Sequence, residues 1–85
     1  MSEDWNPAIA RKARRKIAEH FEVHSITQDR FASMLGVHPN TIHMWEVGKR
    51  APEVHARFVF FKIIEDPSFI EEVRRLVGDE QTTGG

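Results

Sequence analysis

The sequence predicts an all-α fold, a single domain built from five short helices. Prolines stand where helices would begin and glycines where they would end, as Pro39 and Gly48 do. Apolar residues recur every three or four positions along most of the chain. No stretch shows the alternating apolar and polar pattern of a half-buried strand, so no sheet is expected.

The first helix is expected over about 7–22. Asn6 can cap its N-terminus, and Pro7 suits its first turn because the missing N–H would have no partner there. Four apolar residues at intervals of four form one stripe: Ile9, Ala13, Ile17 and Phe21.

Two shorter helices follow, at about 28–35 and 39–47. Thr27 can cap the first of them, and Gly36 can end it in the left-handed conformation. Only residues 36–38 separate the two helices, a turn too tight for antiparallel packing. The sequence therefore predicts two helices that cross at a large angle.

The last two helices are predicted from Pro52 to about Glu65, and from Asp66-Pro67 to about Gly78. In both, a proline marks the first helical position, and Asp66 adds a capping carboxylate. Residues 79–85 are polar and end in glycine. We therefore expect a single domain over 1–78 and a flexible tail over 79–85.

Composition excludes several classes of protein. The chain has 85 residues, a net charge of −1 and no cysteine, which rules out a disulfide framework and a thiolate metal site. No apolar run approaches the roughly 20 residues that span a bilayer, and residues 1–4 are unlike a signal peptide. We therefore expect a cytoplasmic protein with no membrane partner.

Neither catalysis nor metal binding is expected. The hydroxyls of Ser25, Thr27 and Ser33 lack an ordered base and orienting group, so no nucleophile is indicated. His20 and His24 have the i, i+4 spacing of a ligand pair, but the first helix should end between them and no third ligand is evident. The expectation is no enzyme, no cofactor and no metal.

The region 28–48 carries the functional signal. Gly36 can take the positive φ of a sharp turn. Three apolar residues would anchor the third helix to the core: Val37, Ile42 and Trp45. Four others then face away: Asn40, Thr41, His43 and Met44. This is the design of a helix-turn-helix at about 28–47, in which the second helix offers its N-terminal half to the major groove of DNA.

The same region resembles the helix-turn-helix of the lambda-repressor-like (Xre) family of transcriptional regulators. The resemblance covers about 27–66, and the matching residues are Gln28, Ala32, Gly36-Val37, Ile42, Trp45-Glu46, Gly48 and Pro52. It implies a five-helix, lambda-repressor-like DNA-binding domain. The continuation, with its apolar fourth helix and Glu65-Asp66-Pro67, is similar to short antitoxin-type members of the family.

The resemblance also implies roles for particular residues. Those facing base edges would be Pro39, Asn40, His43 and Met44; Pro39 lacks a side-chain donor. Those holding phosphates would be Gln28, Thr41, Lys49 and Arg50. Glu46 would form an internal ion pair with Arg14 or Arg15. His38 stands where the family has a serine or threonine cap, so the third helix is either less well capped or capped by the imidazole.

The first helix also carries five basic residues: Arg11, Lys12, Arg14, Arg15 and Lys16. One helix cannot direct all of them at DNA, so we expect one or two to face it and the others to be solvated.

The fourth helix is apolar over more than the stripe that a surface helix needs. Either the fifth helix covers the excess, or a second chain does, or a compact monomer leaves it exposed. We expect the fifth helix to cover part of this apolar surface and a second chain to cover the rest. The resulting homodimer interface would be formed by Phe58, Phe60, Phe61 and Ile64.

The leading hypothesis is a homodimeric repressor that binds a palindromic operator in double-stranded DNA. The alternative is an antitoxin that also binds and neutralises a partner toxin protein. A third hypothesis keeps the fold and uses the helix-turn-helix only for protein contact.

Overall fold

The computed structural model describes the backbone of residues 5–84 and the side chains of residues 5–77. It contains helices α1 (Pro7–His20), α2 (Gln28–Leu35), α3 (Pro39–Val47), α4 (Val54–Glu65) and α5 (Phe69–Gly84). The all-α prediction is confirmed, with no strand in the described part of the chain. None of these helices is both long and apolar enough to cross a membrane.

Helices α2 and α3 begin and end where the sequence predicts. Thr27 caps α2, since its hydroxyl accepts a hydrogen bond from the Arg30 N–H at 3.0 Å. Gly36 ends α2 in the left-handed conformation at φ 74°, and the Val37 N–H turns back to the Ala32 carbonyl at 3.0 Å. The sharp turn at Gly36 is therefore present.

Helix α1 ends at His20, two residues before its predicted end. The Val23 N–H donates to the Ala18 carbonyl and the Glu22 N–H to the Glu19 carbonyl, both at 3.0 Å. This pair of bonds is a Schellman motif, which closes a helix around a left-handed residue. Glu22 occupies that position at φ 58°, where a residue with a Cβ is strained.

Helix α4 begins at Val54, so the prediction that Pro52 opens it is wrong. Pro52 lies in the preceding segment and is fully buried. Its carbonyl accepts a hydrogen bond from Arg57 Nε at 2.7 Å, which ties this segment to the first turn of α4. The proline therefore packs the approach to the helix instead of occupying its first turn.

Helix α5 begins two residues after Pro67. Asp66 accepts hydrogen bonds from the Ser68 hydroxyl at 2.7 Å and the Ser68 N–H at 3.2 Å, and these bonds lower the pKa of its carboxyl below the ordinary 3.8. The carbonyls of residues 66–68 each accept from the N–H three residues on, so a tighter turn precedes the helix.

The predicted end of the fifth helix near Gly78 is also wrong, because α5 continues to Gly84. One glycine in a helix costs about 1 kcal/mol relative to alanine, which does not by itself end a helix. Glu80 and Gln81, which follow, are good helix formers. The flexibility of 79–85 stays a prediction.

The core is organised around the ring of Phe60, which is 0% exposed. Its centroid lies 5.3 Å from that of Trp5, 5.8 Å from Phe31 and 5.6 Å from Trp45. Phe60 thus joins α4 to the helix-turn-helix. The prediction that Phe60 lies in a dimer interface is wrong, because a side chain with no exposed surface has none to offer a second chain.

A buried carboxylate joins the first three helices. Glu46 in α3 is 3% exposed and accepts hydrogen bonds from Arg14 Nε and Nη2, both at 2.9 Å. Gln28 Nε2 donates to the same carboxylate at 3.0 Å, and Arg14 Nη1 donates to the Ile26 carbonyl at 2.8 Å. Of the two arginines left open by the sequence, Arg14 is therefore the partner.

Helix α5 packs across α2 and reaches the turn of the helix-turn-helix. A Cβ at Gly36 would lie 3.0 Å from Val77 Cγ2, so Gly36 is required by close approach as well as by its φ. Helix α5 therefore packs directly against the turn between α2 and α3.

We predict that Glu46→Gln lowers the free energy of unfolding by about 2–4 kcal/mol, because it leaves the Arg14 charge without its buried partner. Urea denaturation measures this. Glu72→Gln is the matched control: Glu72 pairs with Arg75 at 3.0 Å with both side chains exposed, and such pairs contribute less than about 1 kcal/mol. Equal, small losses in the two variants would contradict the role given to Glu46.

We predict that Glu22→Gly raises the free energy of unfolding by about 0.5–1 kcal/mol, because glycine adopts the left-handed conformation without strain. Glu22→Ala removes the same side chain but keeps the strained Cβ, so it should remain near the wild type. Urea denaturation of both variants tests this, and a less stable Glu22→Gly would contradict it.

Candidate nucleic-acid interface

Helix α3 divides into a buried face and an outward face. The buried residues, Ile42, Trp45 and Glu46, hold it to the core. Asn40 and His43 are exposed, whereas Pro39, Thr41 and Met44 are half-buried. The helix therefore presents Asn40 outward on a support fixed by its other side, as a helix that enters a groove must be.

The N-terminus of α3 is capped by an imidazole. His38 Nδ1 accepts a hydrogen bond from the Asn40 N–H at 3.0 Å, which settles the alternative that the sequence left open. The bond requires an unprotonated Nδ1. It fixes the backbone of Asn40, so that its exposed amide projects from a defined position.

The C-terminus of α3 ends in a second left-handed glycine, Gly48, at φ 83°. The Lys49 N–H turns back to the Met44 carbonyl at 3.0 Å. Lys49 and Arg50 are both exposed immediately beyond the helix. Two exposed cationic side chains therefore lie immediately beyond the C-terminus of α3.

Gln28 stands at the first position of α2 and is half-buried. Its amide nitrogen is already bonded to Glu46 Oε1. An amide nitrogen carries two N–H groups, so this bond leaves a phosphate contact possible and fixes the direction of the side chain. The ion pair of Arg14 and Glu46 thus sets the position of a residue expected at the DNA.

One outward residue was missed by the sequence interpretation. Val47 is 51% exposed and lies three and four positions after Met44 and His43, on the same face of α3. Its spacing from His43 and Met44 is the feature of the sequence that could have identified Val47 as an outward residue. An apolar side chain there can contact a thymine methyl group.

A second surface lies on the outer side of α4. Val54, Phe58 and Phe61 are 72%, 60% and 37% exposed and follow one another along one helical face. With Arg57 they line a shallow cavity of about 220 Å³. Ile64, one turn further on, is half-buried. We call Val54, Phe58 and Phe61 the α4 stripe.

The two histidines with ligand-like spacing lie in different surroundings. His20 Nε2 is 2.8 Å from Glu71 Oε2, joining the end of α1 to the start of α5. His24 lies in the α1–α2 connection beside arginines of α1. Within the described side chains, no three His, Cys, Asp or Glu residues are grouped so as to hold a metal.

Residues 17–55 match the family model described as Helix-turn-helix. No curated protein and no solved structure matches the chain. The matched span contains α2, the turn at Gly36, α3 and the Glu46 carboxylate. It is also the part of the fold that presents Asn40 outward. Residues 17–55 therefore form a helix-turn-helix of the lambda-repressor-like (Xre-type) kind, which supports a DNA-binding transcription regulator.

Proposed function

We propose that the protein is a homodimeric repressor that binds a palindromic operator, with α3 of each protomer in the major groove. The observation that carries the proposal is the division of α3 into a buried and an outward face. Repression follows if the operator overlaps a promoter, because a bound dimer excludes the polymerase.

Sequence reading is assigned to the outward face of α3. The Asn40 amide can form a bidentate pair with adenine, and Met44 can contact a thymine methyl. His43 can donate or accept a hydrogen bond at a base edge. Pro39 can contribute only apolar contact, since it has no side-chain donor.

Phosphate contacts are assigned to residues around that face: Gln28, Thr41, Lys49 and Arg50. They position the protein and carry no sequence information. Only two of these four residues, Lys49 and Arg50, are cationic, so this set alone should release few counterions and make only a modest contribution to the salt dependence.

Dimerisation is assigned to the α4 stripe with Ile64 at its end. Exposed aromatic side chains in a row are costly in water and are typical of an interface. One α3 contacts few base pairs, whereas two held about 34 Å apart read two half-sites. The same stripe also fits the alternative function, an antitoxin whose apolar surface binds a toxin protein, so the oligomeric state discriminates between them.

We predict that Asn40→Ala weakens binding to an operator selected from a random DNA pool but leaves binding to unselected DNA nearly unchanged. Each lost bidentate contact to a base corresponds to about 1–3 kcal/mol of discrimination, and the dimer loses two of them. Lys49→Ala is the matched control: it should weaken binding to both duplexes equally and lower the salt slope by about 2, because each protomer of the dimer loses one phosphate contact. Fluorescence anisotropy measures both. Equal losses on the two duplexes with Asn40→Ala would remove its base-reading role, and selection of no site would refute the proposal.

We predict that the wild-type protein is a dimer and that Phe58→Glu is a monomer, because the charge would be buried at the interface. Sedimentation equilibrium measures this. Wild type should select a palindrome with half-sites about one helical turn apart, and Phe58→Glu should lose repression of a reporter whose promoter overlaps it. Val23→Glu, an exposed change away from α4, should remain dimeric. A monomeric wild type would overturn the dimer and favour a different partner for the stripe.

A further inference from the structure

We propose that a cavity between α1 and the α1–α2 connection binds a backbone phosphate of the DNA beside each half-site. The inference rests on the proposed function and extends its contact surface beyond the helix-turn-helix. The cavity has a volume of about 270 Å³ and is lined on one side by Arg11, Arg14 and Arg15. His24 and Ser25 of the connection line the other side.

Arg14 and Arg15 lie three and four positions after Arg11, so each is a neighbour of Arg11 on the surface of α1. Arg14 has its charge matched by Glu46, and it also donates to the Ile26 carbonyl at 2.8 Å. That second bond holds the connection against α1 and so maintains the shape of the cavity. Arg14 is therefore part of the wall, and its charge is already neutralised.

The other two arginines supply the charge. Arg11 donates to the Glu46 backbone carbonyl, which is neutral, so its guanidinium remains a net cation. Within the described side chains, no carboxylate forms an ion pair with Arg11 or Arg15. Guanidinium groups present several N–H donors in a fixed fork that matches phosphate oxygens. His24 and the Ser25 hydroxyl add further donors at the opposite wall.

The cavity lies beside the residue already assigned to a phosphate. Ile26, which lines the cavity, precedes Gln28 by two positions, and Gln28 and Arg14 bond to the same carboxylate of Glu46. A duplex whose backbone touches Gln28 therefore continues past this cavity. Its neighbouring phosphate is the anion that the position favours.

The geometry also distinguishes among the five basic residues of α1. Arg14 belongs to the core ion pair, and Lys16 lies 4.0 Å from Glu19 and does not line the cavity. Lys12 is exposed and does not line the cavity. Arg11 and Arg15 are the two that face DNA.

The test compares Arg15→Gln with Lys12→Gln, the same change of charge on the same helix. The probes are a duplex of about three helical turns carrying the selected operator and an unselected duplex of equal length. Arg15→Gln should weaken binding to both duplexes about three- to tenfold for each protomer's contact and lower the salt slope by about 2, because the dimer loses two phosphate contacts. Lys12→Gln should stay within twofold of the wild type. Thermal unfolding of both variants checks that the fold is retained.

Neutral methylphosphonate groups placed singly along the operator backbone then locate the contact. One position flanking the half-site should weaken wild-type binding but not the binding of Arg15→Gln. Equal affinities for Arg15→Gln and Lys12→Gln, or the absence of such a position, would overturn the inference while the operator binding of the wild type stands. Inorganic phosphate is also added to the protein alone while the NMR signals of His24 and Ser25 are followed. If phosphate shifts these signals but Arg15→Gln binds DNA as tightly as the wild type, the cavity binds a free anion and the inference is overturned. If the wild type binds no selected operator, the proposed function itself has failed.

Discussion

The position of α3, the helix proposed to enter the major groove, depends on one buried carboxylate. Glu46 accepts two hydrogen bonds from Arg14 of α1 and one from Gln28 of α2. A charge buried in this way is tolerated only when its partners are in place, so alternative packings of the three helices leave it unpaired. The pair therefore does more for the geometry of the three helices than for their total stability. The same contact orients Gln28 and Arg14, which border two of the surfaces assigned to DNA.

Local signals in the sequence predicted the elements whose ends are made by local bonds. Helices α2 and α3 agree with prediction because Thr27 and the glycines at 36 and 48 form their caps within a few residues. The end of α1 was missed because Glu22, a residue with a Cβ, takes the left-handed position that normally indicates glycine. The start of α4 was missed because Pro52 satisfies tertiary packing instead of a helix start.

The sequence predicted which residues of the candidate site face outward, but it did not predict their individual contacts. Helical periodicity placed Asn40 and His43 outward, and the structure exposes both. Periodicity could not separate Arg14 from Arg15, because the choice between two adjacent positions depends on how α1 packs against α3. It also could not tell that Phe60 is buried while Phe58 and Phe61 are exposed, because α4 is apolar nearly all round. Both distinctions come from the packing of α1 and α4 against the rest of the chain.

The close approach of Val77 to Gly36 limits how this DNA-reading unit can be transplanted. Residues 28–47 look like a self-contained pair of helices, yet Val77, near the far end of the chain, packs against the turn between them. A chimera that moves only this helix pair onto another scaffold would leave the turn without that contact. A graft that keeps the angle between the helices must therefore carry an equivalent of Val77 with it.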